Sequence, residues 1–220
     1  VAQRHQQVLQ FSQIHNLAVI VADVRSGEVL AYVGNAPQAG AEHGEQVDII
    51  TAPRSSGSVL KPFLYGLALN DAIVLPNSLL PDVPMNINGY RPENYQDGYD
   101  GLVPASEALA RSLNIPFVDL LRQYDFSRFH YQLKKMGMST LSQPPGHYGL
   151  SLILGGAETK LWDLCGMYAS MARVLGHYAG YSGRYDPADY HGLSYTPVPA
   201  QRPKKLRELS TESEFFSAGA

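Results

Sequence analysis

The 220-residue chain has a single cysteine, Cys165. No intrachain disulfide can form, and no metal-ligand spacing surrounds that residue. Its place in an apolar helical pattern reads as a buried structural thiol. No apolar run approaches the roughly 20 residues of a membrane-crossing helix, and no secretory leader pattern opens the chain; the anchor of any exported parent is expected to lie outside these residues. Charge is sparse: 17 basic residues against 20 acidic ones leave a formal −3, which gives no reason to expect nucleic acid or an anionic membrane as partner. There is no G-x-S-x-G elbow, phosphate-binding glycine loop, internal repeat or low-complexity tract. His43 and Glu45 have no second histidine nearby, which excludes the usual zinc spacing. Asn94, Asp97 and Asp100 do not fit a calcium loop and read as a solvated loop.

What is present is enough apolar residue, 45% of the chain, for a packed core. Val8, Leu9, Phe11 and Ile14 recur at helical spacing and predict a short amphipathic helix within 2–15. Leu17–Asp23 and Glu28–Val33 are β-prone runs about an Arg25-Ser26-Gly27 turn, so an antiparallel hairpin is expected. Its apolar strands predict a sheet covered on both faces. Residues 34–56 read as a loop, 57–70 as a helix, and the proline-bearing stretch 76–104 as an irregular excursion. Helical patterns follow at about 105–112, 116–124, 127–136 and 159–175. The last has Thr159 as expected N-cap, Asp163 in its first turn and Gly176 as C-terminal cap. A loop is expected from Tyr178 to Pro203 and a polar stretch over 204–220. The fold class is α/β in the broad sense (α+β): a helical cluster with an antiparallel sheet that two strands alone would leave marginal.

The sharpest chemical feature is Gly57-Ser58-Val59-Leu60-Lys61-Pro62, at a loop-to-helix junction. Helical positions i and i+3 share a face, which brings the Ser58 hydroxyl beside the Lys61 amine. A serine needs a neighbour to take its proton before it attacks, and a lysine can do so when burial or nearby positive charge lowers its pKa. The helix N-terminus adds partial positive charge, which favours an oxyanion there. Pro62 is tolerated in a first turn. Ser112 and Asn114, in a short break before Pro116, can point the same way and relay a proton or hold the lysine. In 220 residues, about 0.5 matches to S-x-x-K and about 0.65 to S-x-N are expected by chance. Alone, the tetrad reads better as a capping serine with a solvated lysine one turn on, and S-x-N as the polar end of a helix.

The surroundings carry more information. S-x-x-K and S-x-N are two of the three motifs of penicillin-binding proteins and serine β-lactamases, and here they come in that order. Arg54-Ser55-Ser56-Gly57-Ser58-Val59-Leu60-Lys61-Pro62-Phe63 resembles the nucleophile block of the transpeptidase domain of class A penicillin-binding proteins. So do Tyr90–Tyr95, Tyr99–Gly101, Ala108–Pro116, Leu154–Thr159 with Tyr168–Ala172, and the Asp23–Gly34 hairpin. The resemblance covers most of residues 15–175. It implies a peptidoglycan D,D-transpeptidase on the periplasmic side of a bacterial inner membrane. The implied catalytic residues are Ser58 (nucleophile), Lys61 (base), Ser112 (proton relay) and Asn114 (orienting group). The implied partners are stem peptides ending in D-Ala-D-Ala and β-lactam antibiotics, and no metal or organic cofactor is needed.

The family's third motif, K-[ST]-G, does not occur. The ending Phe215–Ala220 resembles what precedes that strand in the family, so truncation is expected. The domains are then a lead-in helix over 1–15 and a partial transpeptidase domain over 16–220. In the family the K-[ST]-G strand binds the substrate carboxylate and supplies one of two oxyanion-hole N–H groups. Losing one such donor costs about 10²–10³ in rate, so the fragment is expected to be inactive or nearly so. Two rival readings share the motifs: a D,D-carboxypeptidase or β-lactamase, and a non-catalytic binding or scaffolding module.

Overall fold

The computed structural model describes residues 1–36, 39–196 and 204–216. Its elements are α1 (Ala2–Gln10), β1 (Val19–Ala22), β2 (Val29–Val33), β3 (Arg54–Ser55), α2 (Lys61–Asn70), β4 (Leu79–Asp82), β5 (Gly101–Pro104), α3 (Ala105–Ala110), α4 (Asn114–Tyr124), α5 (Phe126–Lys135), α6 (Pro145–Tyr148), β6 (Glu158–Thr159) and α7 (Leu161–Gly180), with short 3-10 turns between some of them. They form two compact units. One comprises Val1–Arg54, Met136–Thr140 and Thr159–Thr211; the other comprises Ser55–Lys135, Leu141–Glu158 and the segment from Glu212.

In the first unit, β1 and β2 pair antiparallel with Val19 opposite Val33 and a register shift at Val21/Ala22. The Asp23–Gly27 turn is closed by the Asp23 carboxylate, which accepts from the Ser26 N–H and hydroxyl. The expected hairpin is present, but the two-sided cover is not: Val21 is 45% and Leu30 61% exposed. The 20-residue α7 packs against β1. It runs five residues beyond the expected end, because Gly176 sits within the helix and no left-handed residue stops the chain there. Thr159 is not its N-cap; Lys160 holds that position, and the Thr159 hydroxyl is buried without a partner. α1 forms where expected, yet Val8 and, just past its end, Phe11 are 62% and 93% exposed, Leu9 is half-buried, and the buried residue is Gln6.

The second unit is organised around α4, whose Ile115, Phe117, Val118, Leu120, Leu121 and Tyr124 are all buried. α2, α3, α5 and the 3-10 segment Gly149–Leu154 pack around it. The stretch 76–104 is not wholly irregular. Its ends pair as β4 and β5, with Leu79 opposite Pro104 and Asp82 opposite Gly101. Prolines at 81 and 104 hide this pair from pattern reading. They are tolerated because each strand of a two-stranded ladder has a free edge. α3 stops at Ala110 rather than 112, and α4 starts at Asn114, two residues earlier than expected. The intervening Ser112 adopts a left-handed conformation, φ +55°. Residues 197–203 and 217–220, part of the expected loop and ending, lie outside the described residues.

Candidate active site

Ser58 lies in a turn just before α2, and Lys61 is the helix's first residue. The turn starts at Gly57, whose φ of +51° suits a residue without a side chain. It is closed by Val59 N–H to Ser56 O (3.2 Å) and Lys61 N–H to Ser58 O (3.1 Å). Pro62 falls in the first helical turn, where its missing N–H costs nothing. The approach to the turn is anchored from the Gly155–Ala157 segment: Ser55 Oγ donates to Gly155 O (2.8 Å), and Ser56 N–H to Ala157 O (3.0 Å). Ser58 is therefore half-buried on a turn braced at both ends.

Lys61 is 1% exposed. Its ammonium donates to Ser112 O (2.7 Å), Asn114 Oδ1 (2.8 Å) and, more weakly, Ser112 Oγ (3.3 Å). These three contacts match the three protons of an ammonium. The Phe117 ring lies 5.7 Å from Nζ. Burial pulls the Lys61 pKa down from 10.5 to about 8, because a charged group loses hydration there. A lysine in this setting is charged at neutral pH yet within reach of losing its proton.

The structure thus brings Lys61, Ser112 and Asn114 into direct contact across more than 50 residues of chain. It places Ser58 one turn away through the backbone. The three ammonium protons are directed at the Ser112–Asn114 corner, not at the Ser58 hydroxyl. A neutral Lys61 would have a lone pair free to turn toward Ser58. The left-handed Ser112 has a physical use: it reverses the chain so that its own carbonyl and the Asn114 side chain converge on one cation. Pattern reading missed the bracing residues Ser55 and Gly155, which lie 100 positions apart; the only available signal was that both fall in blocks resembling the family.

The family model described as penicillin binding protein transpeptidase domain matches residues 17–172. Penicillin-binding protein 1C of Escherichia coli (strain K12) is 42% identical over 158 residues, covering 72% of this chain and 20% of that protein. Penicillin-binding protein 1B of Haemophilus influenzae is 30% identical over 168 residues, covering 74% and 21%. The chain thus spans about a fifth of the length of these relatives. Among solved structures, a peptidoglycan glycosyltransferase from Burkholderia ambifaria superposes with a TM-score of 0.67 at 19% identity, covering 98% of this chain and 66% of that one. Penicillin binding protein 3 from Mycobacterium tuberculosis, complexed with ampicillin, gives 0.63 at 20% identity, covering 77% and 43%. These likenesses show the same fold of helices and antiparallel strands. With its family model matched over residues 17–172, the chain belongs to the penicillin-binding protein transpeptidase domain family.

Proposed function

We propose that these residues carry the acylation machinery of a serine-type peptidoglycan D,D-transpeptidase. The observation that supports it best is the buried Lys61, held by Ser112 and Asn114 one turn from Ser58, with its pKa lowered to about 8. Lys61 in its neutral form takes the proton of Ser58 Oγ. The oxygen then attacks the carbonyl between the two terminal D-alanines of a stem peptide, giving a tetrahedral oxyanion. Collapse breaks the peptide bond, and the proton passes through Lys61 and the Ser112 hydroxyl to the departing D-alanine amine. A second stem's amine then attacks the acyl-Ser58 ester, gives up its proton by the reverse route and forms the crosslink. Asn114 orients Lys61 throughout. The setting would be the periplasmic side of a bacterial inner membrane. A β-lactam would acylate Ser58 as a substrate mimic, in keeping with the ampicillin complex of the Mycobacterium relative.

The lack of a K-[ST]-G triplet favours a second reading for the 220 residues alone: an acylation site with little or no turnover, serving as a binding module. Intact-mass spectrometry after exposure to benzylpenicillin tests both. It is run on this chain and on a chimera completed at its C-terminus by the matching remainder of the E. coli 1C relative. The chimera is expected to gain one penicilloyl mass on Ser58, lost in Ser58→Ala, and the shorter chain to react about 10²–10³-fold more slowly. A chimera that folds yet gains no mass on Ser58 refutes the catalytic reading.

A further inference from the structure

Asn114 is useful to Lys61 only if its oxygen, not its NH₂, faces the ammonium. The two ends of a carboxamide have nearly the same shape, so something must select one. The selection comes from the loop between β4 and β5. Glu93 O accepts Asn114 Nδ2 at 2.9 Å, which only the NH₂ end can supply, and this turns Oδ1 toward Lys61 Nζ. The next residue, Asn94, holds the main chain at the same point. Its Oδ1 accepts the N–H groups of Asn114 (3.0 Å) and Ile115 (3.3 Å), the first two residues of α4. α4 has no side-chain cap of its own, since Leu113 stands at its N-cap position. Asn94 supplies the missing cap from 20 residues away.

Asn94 is itself oriented. Its Nδ2 donates to Asp82 Oδ1 at 2.8 Å and, at the limit of 3.5 Å, to Gly98 O. Asp82 is 1% exposed, and its second oxygen accepts the Asp100 N–H at 3.0 Å. The loop is solvated as expected, with Asp97 and Asp100 exposed and Tyr95 99% exposed, but the Asn94 side chain is half-buried and pinned.

We infer that Asn94, locked by Asp82, is a positioning residue: it fixes the Asn114 main chain beside the Glu93 carbonyl, and so lets that carbonyl hold the Asn114 side chain toward Lys61. That it matters for catalysis rests on the acyl-transfer reading of Ser58 and Lys61; the positioning itself does not.

The test exploits the polarity of the Asp82–Asn94 pair. Asn94→Ala removes the cap and strands a buried carboxylate. The double exchange Asp82→Asn with Asn94→Asp reverses donor and acceptor within the pair, keeps an acceptor for the Asn114, Ile115 and Asp100 N–H groups, and gives up only the 3.5 Å contact to Gly98 O. The carboxylate at position 94 accepts the α4 N–H groups, as suits a helix N-terminus, and also the NH₂ now at position 82. The first readout is solvent exchange of the Asn114 side-chain amide, followed by NMR on the ¹⁵N-asparagine-labelled 220-residue chain. Exchange should rise roughly tenfold or more in Asn94→Ala, the factor matching one lost hydrogen bond, and return to near the parent value in the double exchange. If Asn94→Ala does not fold, Asn94→Ser, which keeps a capping oxygen but is too short to reach Asp82, takes its place. Unchanged exchange, or no recovery in the double exchange, overturns the inference. The second readout is penicillin acylation of the chimera. The acylation rate constant should fall roughly tenfold in the single variant, with binding before acylation unaltered, and recover in the double. A lower melting temperature with an unaltered acylation rate would make Asn94 merely structural and overturn the catalytic part. If the parent chimera itself is never acylated, the acyl-transfer reading fails, and amide exchange alone decides the positioning.

Discussion

Lys61 is a buried cation, and its cost to the fold can be measured. Its pKa is about 8 in the folded protein and 10.5 when solvated. The unfolded chain therefore binds more protons between these values, and stability rises with pH across that window. Below about pH 8 the burial penalty is fully present, on the order of 3 kcal/mol; above about 10.5 it is gone. Lys61→Met keeps most of the volume and removes the charge. At pH 7 the variant is relieved of the buried charge but loses the donor to Ser112 O and Asn114 Oδ1, two effects of similar size and opposite sign. The decisive reading in urea unfolding is therefore the slope: the parent should gain on the variant between about pH 8 and 10. An equal pH response of the two proteins would show that Lys61 is not the titrating group. The same variant of the chimera should lose penicillin acylation altogether. The parent chimera's acylation rate should climb with pH through a midpoint near 8, since only neutral Lys61 can take the serine proton.

Among the elements, two glycines should respond to substitution in opposite ways. Gly155 has φ +97°, and a Cβ there would lie 2.5 Å from Ser55 Oγ and 2.8 Å from the Gly57 nitrogen. Gly155→Ala should cost about 1–3 kcal/mol in chemical unfolding through strain and overlap. It should also slow Ser58 acylation, because the displaced backbone leads directly into the nucleophile turn. Gly176 lies inside α7 without a positive φ, and a methyl group added at its Cα would meet nothing within 4 Å. Gly176→Ala should stabilise the protein by about 0.5–1 kcal/mol, because alanine loses less backbone freedom in a helix. A drop in thermal midpoint for Gly176→Ala would contradict its place in the helix interior.

For the molecule as a whole, the first compact unit has a tie of its own in Arg173 of α7, 3% exposed. Its guanidinium donates to Val24 O (2.7 Å), Asp189 O (2.8 Å), His191 O (2.5 Å) and Ser170 Oγ (2.8 Å), joining the hairpin turn, α7 and the loop after it. A lysine there keeps the charge but not the planar fork. Arg173→Lys should cost about 2–4 kcal/mol, because buried carbonyls lose their donors, and should speed proteolysis within residues 184–196. Unaltered cleavage there would show that this loop is held by other contacts.

How far pattern reading reaches differs between the two units. The β1–β2 hairpin and α7 were legible, because strand and helix periodicities are local. The β4–β5 pair was not, because Pro81 and Pro104 look like breakers until the partner strand is seen. Ser58 and Lys61 were placed together by chain spacing alone, since three residues span one turn wherever that turn sits. The α1 surface misled in the opposite direction: helical spacing was right, but which face is buried depends on what packs against it.

Residue order alone thus pointed to the residues of the candidate site and the serine–lysine turn and, through its ordered blocks, to the family. Only tertiary packing could decide that Lys61 is buried, that Ser112 turns left-handed, and that Asn94 reaches α4 from another loop. The reason is physical. A turn depends on neighbouring dihedral angles, whereas a lysine's pKa and a carboxamide's orientation depend on desolvation and on partners brought close only when distant segments pack.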